Sequence, residues 1–194
     1  MTTRCVAPGC TQPAVHGPFC ELHAKAPPGQ RGGWLSAAKR KPYDATPVSP
    51  RLWIGSKPPF DRDLTNVDII VLCAAEIQPE RMAFHGELVR CPIPDDVLEP
   101  HQLRLVLQTA VGTAKAIVAG KRVLVTCAQG RNRSAFVVAL ALHQLTTMSG
   151  EQIIAHIRKH RGDTCLYNPW FAKKIVEIVG DGRVKVRRAK AATG

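Results

Sequence analysis

Four short apolar runs, rich in β-branched side chains, lie between residues 51 and 126 of the chain. We interpret them as strands, because β-branched residues pack well on a pleated surface. The run at 51–54 ends at Gly55 and is predicted to be an edge strand. The run at 67–72 is apolar almost throughout, as in a strand buried on both faces. The other two runs lie at 88–91 and 122–126.

Segments with a helical period lie between and after these strands. Pro100 suits the first turn of a helix that runs to about residue 119. Residues 135–142 are apolar nearly all round, which indicates a helix in the centre of a domain. Ser149 and Gln152 have the spacing of a capping box for a helix through residue 159. Asn168 is expected to cap a last helix that ends near residue 179.

This alternation predicts an α/β domain over residues 51–179, with a mostly parallel central sheet and helices on both faces. Residues 24–50 are rich in Pro, Gly, Ala and Lys without any period, which indicates a flexible basic linker. Residues 180–194 are predicted to be a disordered basic tail, and residues 1–23 a separate small segment.

The chain has 194 residues, enough for one domain with a full core and a small appendage. No apolar run approaches the ~18 residues of a membrane span, and the N-terminus lacks the apolar region of an export signal. We therefore expect a cytoplasmic protein. Most of the net charge of +12 lies in the predicted linker and tail. There it serves either solubility or the binding of nucleic acid, anionic lipid or an acidic protein.

Three of the seven cysteines crowd the first twenty residues. A segment with so few large apolar side chains often folds around a metal, and Cys3His is a recognised tetrahedral zinc set. The segment also resembles known small zinc-binding stubs. The predicted ligands of a structural zinc are Cys5, Cys10, Cys20 and His23. His16 is the alternative ligand, and unliganded thiols are the alternative to a zinc site. Four protein ligands leave no open position, so we expect recruitment of a partner or nucleic acid rather than catalysis.

The loop at 127–134 lies between a predicted strand and the predicted central helix. A helix N-terminus presents unpaired N–H groups and partial positive charge, so a loop around it can bind an oxyanion. Gly130 permits the backbone turn. Arg133, six residues after Cys127, can bind two phosphate oxygens with its guanidinium. The same field favours the thiolate of Cys127, which can attack a bound phosphate and form phosphocysteine.

The pattern Cys-x-x-Gly-x-x-Arg-Ser, after a hydrophobic strand and before an apolar helix, resembles the protein tyrosine phosphatase superfamily, most closely its dual-specificity group. The similarity covers roughly residues 50–179. It implies Cys127 as the nucleophile, Arg133 as the phosphate-binding arginine and Ser134 as the hydroxyl that stabilises the departing thiolate. The residues expected to bind the substrate phosphate are Ala128, Gln129, Gly130, Arg131, Asn132 and Arg133.

Two features bear on this resemblance. A sulfur-transferase loop of the rhodanese type is a rival, but its Cys-to-Arg spacing is usually shorter. Thr126 stands where the family usually has a histidine that positions the loop and tunes the thiol. A phosphate-binding adaptor with a weakened catalytic centre is therefore the alternative function.

An oxygen leaving group needs a proton donor. The resemblance implies an aspartate on a loop upstream of the nucleophile, and the segment 91–96 matches the family's P-x-x-D loop there. We expect Asp95 to protonate the leaving oxygen and then to deprotonate the attacking water. Asp96 is the alternative, and an acidic turn at a helix start would explain whichever aspartate is not catalytic.

Cys73 ends a predicted core strand in a Leu-Cys-Ala context. It resembles a cysteine of phosphoinositide-type members such as the phosphatase-and-tensin homologue. The resemblance implies a disulfide with Cys127 that protects the nucleophile against over-oxidation. A buried apolar cysteine is the alternative.

The sequence therefore predicts a phosphomonoester hydrolase, a cysteine-dependent protein tyrosine or dual-specificity phosphatase that needs no cofactor for catalysis. Its expected substrate is a phosphorylated protein. The additional positive charge of Arg131 inside the loop also allows a polyanionic substrate, such as a phosphoinositide or an RNA 5′-phosphate end.

Overall fold

The structure, a computed structural model, describes residues 43–61 and 64–180. The strands are β1 (Ala45–Ser49), β2 (Leu52–Gly55), β3 (Ile69–Ala74), β4 (Glu87–Ile93) and β5 (Val123–Thr126). The helices are α1 (Pro100–Val118), α2 (Arg133–Leu145), α3 (Gly150–Arg161) and α4 (Pro169–Val179). The predicted capping box of α3 is confirmed, as is the predicted cap of α4, where Asn168 Oδ1 accepts from the Trp170 N–H at 3.0 Å.

The five strands form one sheet in the order β1-β2-β5-β3-β4. β1 and β2 are antiparallel, and the other three pairings are parallel, as predicted. β3 is buried at every position, which agrees with its apolar sequence. A parallel sheet needs long connections between its strands, and α1 supplies the one between β4 and β5.

Helix α2 is the centre of the domain. Its first ten residues are all buried, and α1, α3 and α4 each pack against it. The ring of Phe136, fully buried, lies 5.0 Å from the ring of Phe171 and 6.0 Å from that of Trp170. Burying one such side chain contributes roughly 1.5–3 kcal/mol. The prediction of an apolar central helix at 135–142 is therefore confirmed, with α2 longer at both ends.

The opposite face of the sheet carries no helix among the described residues, so helices on both faces stay a prediction for the whole chain. Its apolar side chains form a second, smaller cluster of Ile70, Leu72 and Leu124. Loop and strand residues cover this cluster, among them Tyr43, Trp53, Met82 and Phe84. The connections on either side of β3 contain prolines and lack a helical period, so they cross this face as loops.

Both edges of the sheet differ from the sequence-based expectation. β1 lies inside the segment 24–50 that was predicted as a linker, and its pairing makes β2 an internal strand rather than an edge. β1 contains Pro47, and β4 runs through Pro92. Proline removes a ladder hydrogen bond, so it is tolerated in edge strands, which is where both prolines lie.

The carboxyl ends of the four parallel strands meet along one edge of the sheet. β2 ends at Gly55, β3 leads to Glu76, β4 leads to Asp95 and β5 leads to Cys127. Ligands of open α/β sheets bind at this edge, because loops there converge with helix N-termini. The fold therefore brings together residues that are far apart in sequence.

Candidate active site

Cys127 lies at the end of β5 and begins the anion loop, residues 127–134. Its side chain is buried at 4% exposure, and its backbone N–H donates to the Gly55 carbonyl at 3.3 Å. The Gly130 N–H donates to Cys127 Sγ at 3.2 Å. Ser134 Oγ lies 3.3 Å from the same sulfur. The loop therefore curls around the thiol.

Gly130 is required where the anion loop passes closest to β2. Its φ is +67°, a left-handed conformation that side chains other than glycine disfavour. A Cβ atom here would lie 2.6 Å from the carbonyl carbon and oxygen of Gly55. The predicted need for glycine at this turn is confirmed by both the dihedral angle and the contact.

Arg133 lies in the first turn of α2 and is buried. Its Nη1 and Nη2 donate to the two carboxylate oxygens of Glu76 at 2.6 and 2.8 Å. Burial opposes the guanidinium charge, but the hydrogen bonds to Glu76 and the nearby Cys127 outweigh it and raise the pKa of Arg133. Its Nε is buried and has no hydrogen-bond partner among the described residues. That N–H is available to a bound oxyanion.

Sequence reasoning missed Glu76. It follows β3 by two residues, and Arg133 holds its carboxylate in a bidentate ion pair that lowers the pKa of Glu76. The available signal was an acidic residue just after a buried strand, at the edge where parallel strands end. Glu76 fixes the plane of the guanidinium before any ligand is bound.

Arg161, at the end of α3, was also missed. Its Nε donates to the Gly130 carbonyl at 3.1 Å, and its Nη1 donates to Thr46 Oγ1 at 3.0 Å. Both Nη atoms bind the carboxylate of Asp44, whose pKa is lowered chiefly by those hydrogen bonds. A side chain that is only 9% exposed therefore ties the back of the anion loop to the segment that begins β1.

A second support comes from the segment between α3 and α4. The Leu166 N–H donates to the Arg131 carbonyl at 2.9 Å, and Arg158 binds the carbonyls of Cys165 and Leu166 at 3.0 and 3.2 Å. The Cys165 thiol, whose pKa burial raises to about 11, lies 3.8 Å from the Gly130 carbonyl. It stays protonated at neutral pH and donates to that oxygen.

Asp95 follows β4 and reaches the anion loop. Its Oδ2 accepts from Asn132 Nδ2 at 3.2 Å, and its carbonyl accepts from Asn168 Nδ2 at 3.2 Å. Asp96 instead accepts from the N–H of Val97 at 2.7 Å, an interaction within its own turn. Of the two aspartates considered from sequence, only Asp95 bonds to the anion loop.

Thr126 and Cys73 lie behind the loop. Thr126 is buried and its hydroxyl donates to the Val71 carbonyl at 3.1 Å, across the pair of central strands. Cys73 is fully buried, and burial raises the pKa of its thiol. The Cys73 thiol is therefore protonated at neutral pH.

The structure thus brings Cys127, Arg133, Ser134 and Asp95 to one place. Ala128 accepts at its carbonyl from the Lys57 N–H at 3.1 Å, and the side chains of Gln129 and Arg131 are exposed. Chemically, the site combines a cradle of N–H groups, a fixed guanidinium, a thiol and a carboxyl group. Such a set can bind a tetrahedral oxyanion, attack it with sulfur and supply a proton.

The predicted zinc ligands Cys5, Cys10, Cys20 and His23 lie outside the described residues, as do His16 and the tail 181–194. Within 43–61 and 64–180, no group of three or more His, Cys, Asp or Glu side chains could hold a metal ion. In those same ranges, no helix is long and apolar enough to cross a membrane.

No protein-family model matches the chain, and no curated protein sequence matches it. Several solved structures match the chain. The crystal structure of human DUSP28 has a TM-score of 0.60 and 24% identity, over 72% of this chain and 97% of that one. DUSP15 has a TM-score of 0.60 and 19% identity, over 73% and 92% of the two chains. Tk-PTP in its active form has a TM-score of 0.60 and 17% identity, over 73% and 98%.

At these identities the likeness establishes the fold. The chain has the α/β fold of the dual-specificity and tyrosine phosphatases, as its sequence predicted.

Proposed function

We propose that the protein is a phosphomonoester hydrolase of the protein tyrosine and dual-specificity type, acting through a phosphocysteine. The observation that carries the proposal is the set of contacts around Cys127 Sγ. The sulfur contacts Ser134 Oγ and the Gly130 N–H, and the nearby Arg133 presents a buried, unpartnered N–H. The phosphatase structures that share the fold support the same class.

In the first step, the backbone N–H groups of the anion loop and the guanidinium of Arg133 bind the phosphoryl oxygens. Cys127 Sγ attacks phosphorus as the bond from phosphorus to the leaving oxygen breaks. Asp95 gives its proton to that oxygen, so the leaving group departs as a neutral alcohol or phenol. The products of this step are phosphocysteine and an ionised Asp95.

In the second step, the Asp95 carboxylate takes a proton from a water molecule, whose oxygen attacks phosphorus. The phosphorus–sulfur bond breaks, inorganic phosphate is released and the thiolate returns. The Ser134 hydroxyl, 3.3 Å from Sγ, stabilises the charge that develops on sulfur as it leaves. The reaction balances with water as the only co-substrate.

The charged side chains around the anion loop bear on the class of substrate. The exposed side chains of Arg131 and Lys57 add positive charge near the cradle. This charge suits a phosphorylated protein, and it equally suits a polyanionic substrate such as a phosphoinositide or an RNA 5′-phosphate. Three expectations from the sequence stay predictions: the cytoplasmic location, the binding of nucleic acid or an acidic partner, and a structural zinc held by Cys5, Cys10, Cys20 and His23.

A second candidate is a phosphate-binding adaptor with little turnover. The observation that favours it is Thr126, whose hydroxyl is used within the sheet. It therefore does not replace the histidine that the resembled family places before its cysteine.

One experiment separates the two candidates. Hydrolysis of p-nitrophenyl phosphate is followed for the wild type and for Cys127→Ser without added metal, together with binding of inorganic phosphate by calorimetry. The phosphatase proposal expects turnover by the wild type only. Equal rates from both proteins would contradict it, and phosphate binding without turnover by either would support the adaptor.

A further inference from the structure

Asn132 joins the anion loop to the carboxylate of Asp95 by a side-chain hydrogen bond, and no other described residue of the loop does so. It is 2% exposed. Its Nδ2 donates to Asp95 Oδ2 at 3.2 Å, and its Oδ1 accepts from the Asn168 N–H at 3.3 Å. The backbone N–H of Asn168 can only donate, so the amide orientation follows from its partners.

Asn132 also occupies the N-cap position of α2, yet its side chain makes no cap hydrogen bond. Asparagine at this position usually accepts from an N–H of the first helical turn. Here the anion loop that leads into this turn curls around the sulfur of Cys127, where an anion is expected to bind. A capping side chain would occupy an N–H donor that the anion needs. Because the Asn132 side chain points to Asp95 instead, the N–H groups of the cradle stay available.

The hydrogen bond from Asn132 makes the two carboxyl oxygens of Asp95 different from each other. Oδ2 accepts from Asn132, whereas Oδ1 has no hydrogen bond to any described residue. Asn168 holds the backbone of Asp95 by a second hydrogen bond, from its Nδ2 to the carbonyl. With the backbone and one carboxyl oxygen fixed, the other oxygen has a defined direction.

We propose that Asn132 is a positioning residue, which holds Asp95 over the anion loop so that Oδ1 carries the proton to the leaving oxygen. The proposal rests on the phosphatase function proposed above. The same residue that turns away from the anion fixes the acid, so Asn132 couples the site of phosphoryl attack to the site of proton donation.

Comparing substrates with different leaving groups reveals whether Asn132 positions the acid. p-Nitrophenoxide is a stable anion and needs little help from an acid, whereas phenoxide needs a proton as it departs. We expect Asn132→Ala to lower kcat/KM for phenyl phosphate by about 10- to 100-fold, the range expected for one hydrogen bond to a group that becomes charged as it gives up its proton. We compare kcat/KM because it reports the steps through departure of the leaving group, whereas kcat also includes hydrolysis of the phosphocysteine, in which Asp95 acts for both substrates alike. For p-nitrophenyl phosphate the expected loss is less than about 3-fold, because proton donation contributes less there.

Asn132→Ser is the second variant, since serine keeps a small polar side chain at the start of α2, where Asn132 makes no cap hydrogen bond that could be lost. Its side chain is too short to reach Asp95, so the same preference for the good leaving group is expected. Asp96→Asn is the matched control: it changes the neighbouring carboxyl group, which bonds only within its turn, and both substrates should keep wild-type rates.

A double-mutant cycle completes the test. In an Asp95→Asn background, Asn132→Ala should lower kcat/KM for phenyl phosphate no further, because the residue acts through Asp95. Equal losses for both substrates, or an undiminished loss in the Asp95→Asn background, would overturn the positioning role and leave the phosphatase function standing. A wild type that hydrolyses neither substrate would overturn both proposals.

Discussion

Gly130→Ala tests how the anion loop depends on its contact with β2. Two costs are expected. A residue other than glycine at a φ of +67° costs roughly 1–2 kcal/mol. The added Cβ would also lie 2.6 Å from the Gly55 carbonyl group, which is about 1 Å closer than an ordinary carbon contact. Relieving such a contact in a packed region costs about 1–3 kcal/mol.

Gly120→Ala is the matched control. Gly120 has a φ of +86°, and a Cβ there would meet nothing within 4 Å. It carries the dihedral cost alone, about 1–2 kcal/mol. We therefore expect Gly130→Ala to lower the free energy of unfolding by about 1–3 kcal/mol more than Gly120→Ala, which is the cost of the contact.

The assay combines urea unfolding with hydrolysis of p-nitrophenyl phosphate. A displacement of about 1 Å in the anion loop should lower kcat by about 100-fold, while Gly120→Ala keeps the wild-type rate. Equal stability of the two variants, together with wild-type turnover by Gly130→Ala, would refute the account of this loop.

Two further predictions concern charge and oxidation. Because hydrogen bonds from Arg161 lower the pKa of Asp44, the stability that this group contributes is present above about pH 4 and is lost as the pH falls through the lowered pKa. The difference in Tm between the wild type and Asp44→Asn should therefore shrink below about pH 4, and a difference that does not change with pH would contradict this. We expect peroxide to oxidise Cys127 to a sulfenic acid, which would condense with the Cys73 thiol to form a disulfide and release water. Peptide mass spectrometry should find a Cys73–Cys127 bridge, and its absence after treatment would count against the protective role.

The local parts of the site were predictable from the sequence. The anion loop occupies eight consecutive residues between a strand and a helix, so the spacing of Cys127, Gly130 and Arg133 was sufficient to identify it. The capping box of α3 and the cap of α4 are equally local, because their partners lie two or three residues apart.

The supports of the anion loop were not predictable in this way. Glu76 is 57 residues from Arg133 in sequence, and Asp44 is 117 residues from Arg161. Only the order of the strands brings these pairs together, and nothing in the spacing of the sequence specifies that order. Asn132 was expected to bind phosphate as part of the loop, but its link to Asp95 depends on where β4 ends.

The errors at the sheet edges have a related cause. β1 is a five-residue strand with a central proline, and such a sequence has the composition of a loop. Its pairing with β2 decides its conformation. The absence of helices from one face, in the ranges that the structure describes, depends likewise on the loops that cross that face.

The central claim is that Cys127 accepts the phosphoryl group. The most direct measurement is acid quenching during turnover of p-nitrophenyl phosphate, followed by peptide mass spectrometry. We predict that the peptide containing Cys127 gains the mass of one phosphoryl group, and that Cys127→Ser prevents both this gain and turnover. A wild type that turns over the substrate without any phosphoryl group on Cys127, or that keeps its activity as Cys127→Ser, would contradict the claim.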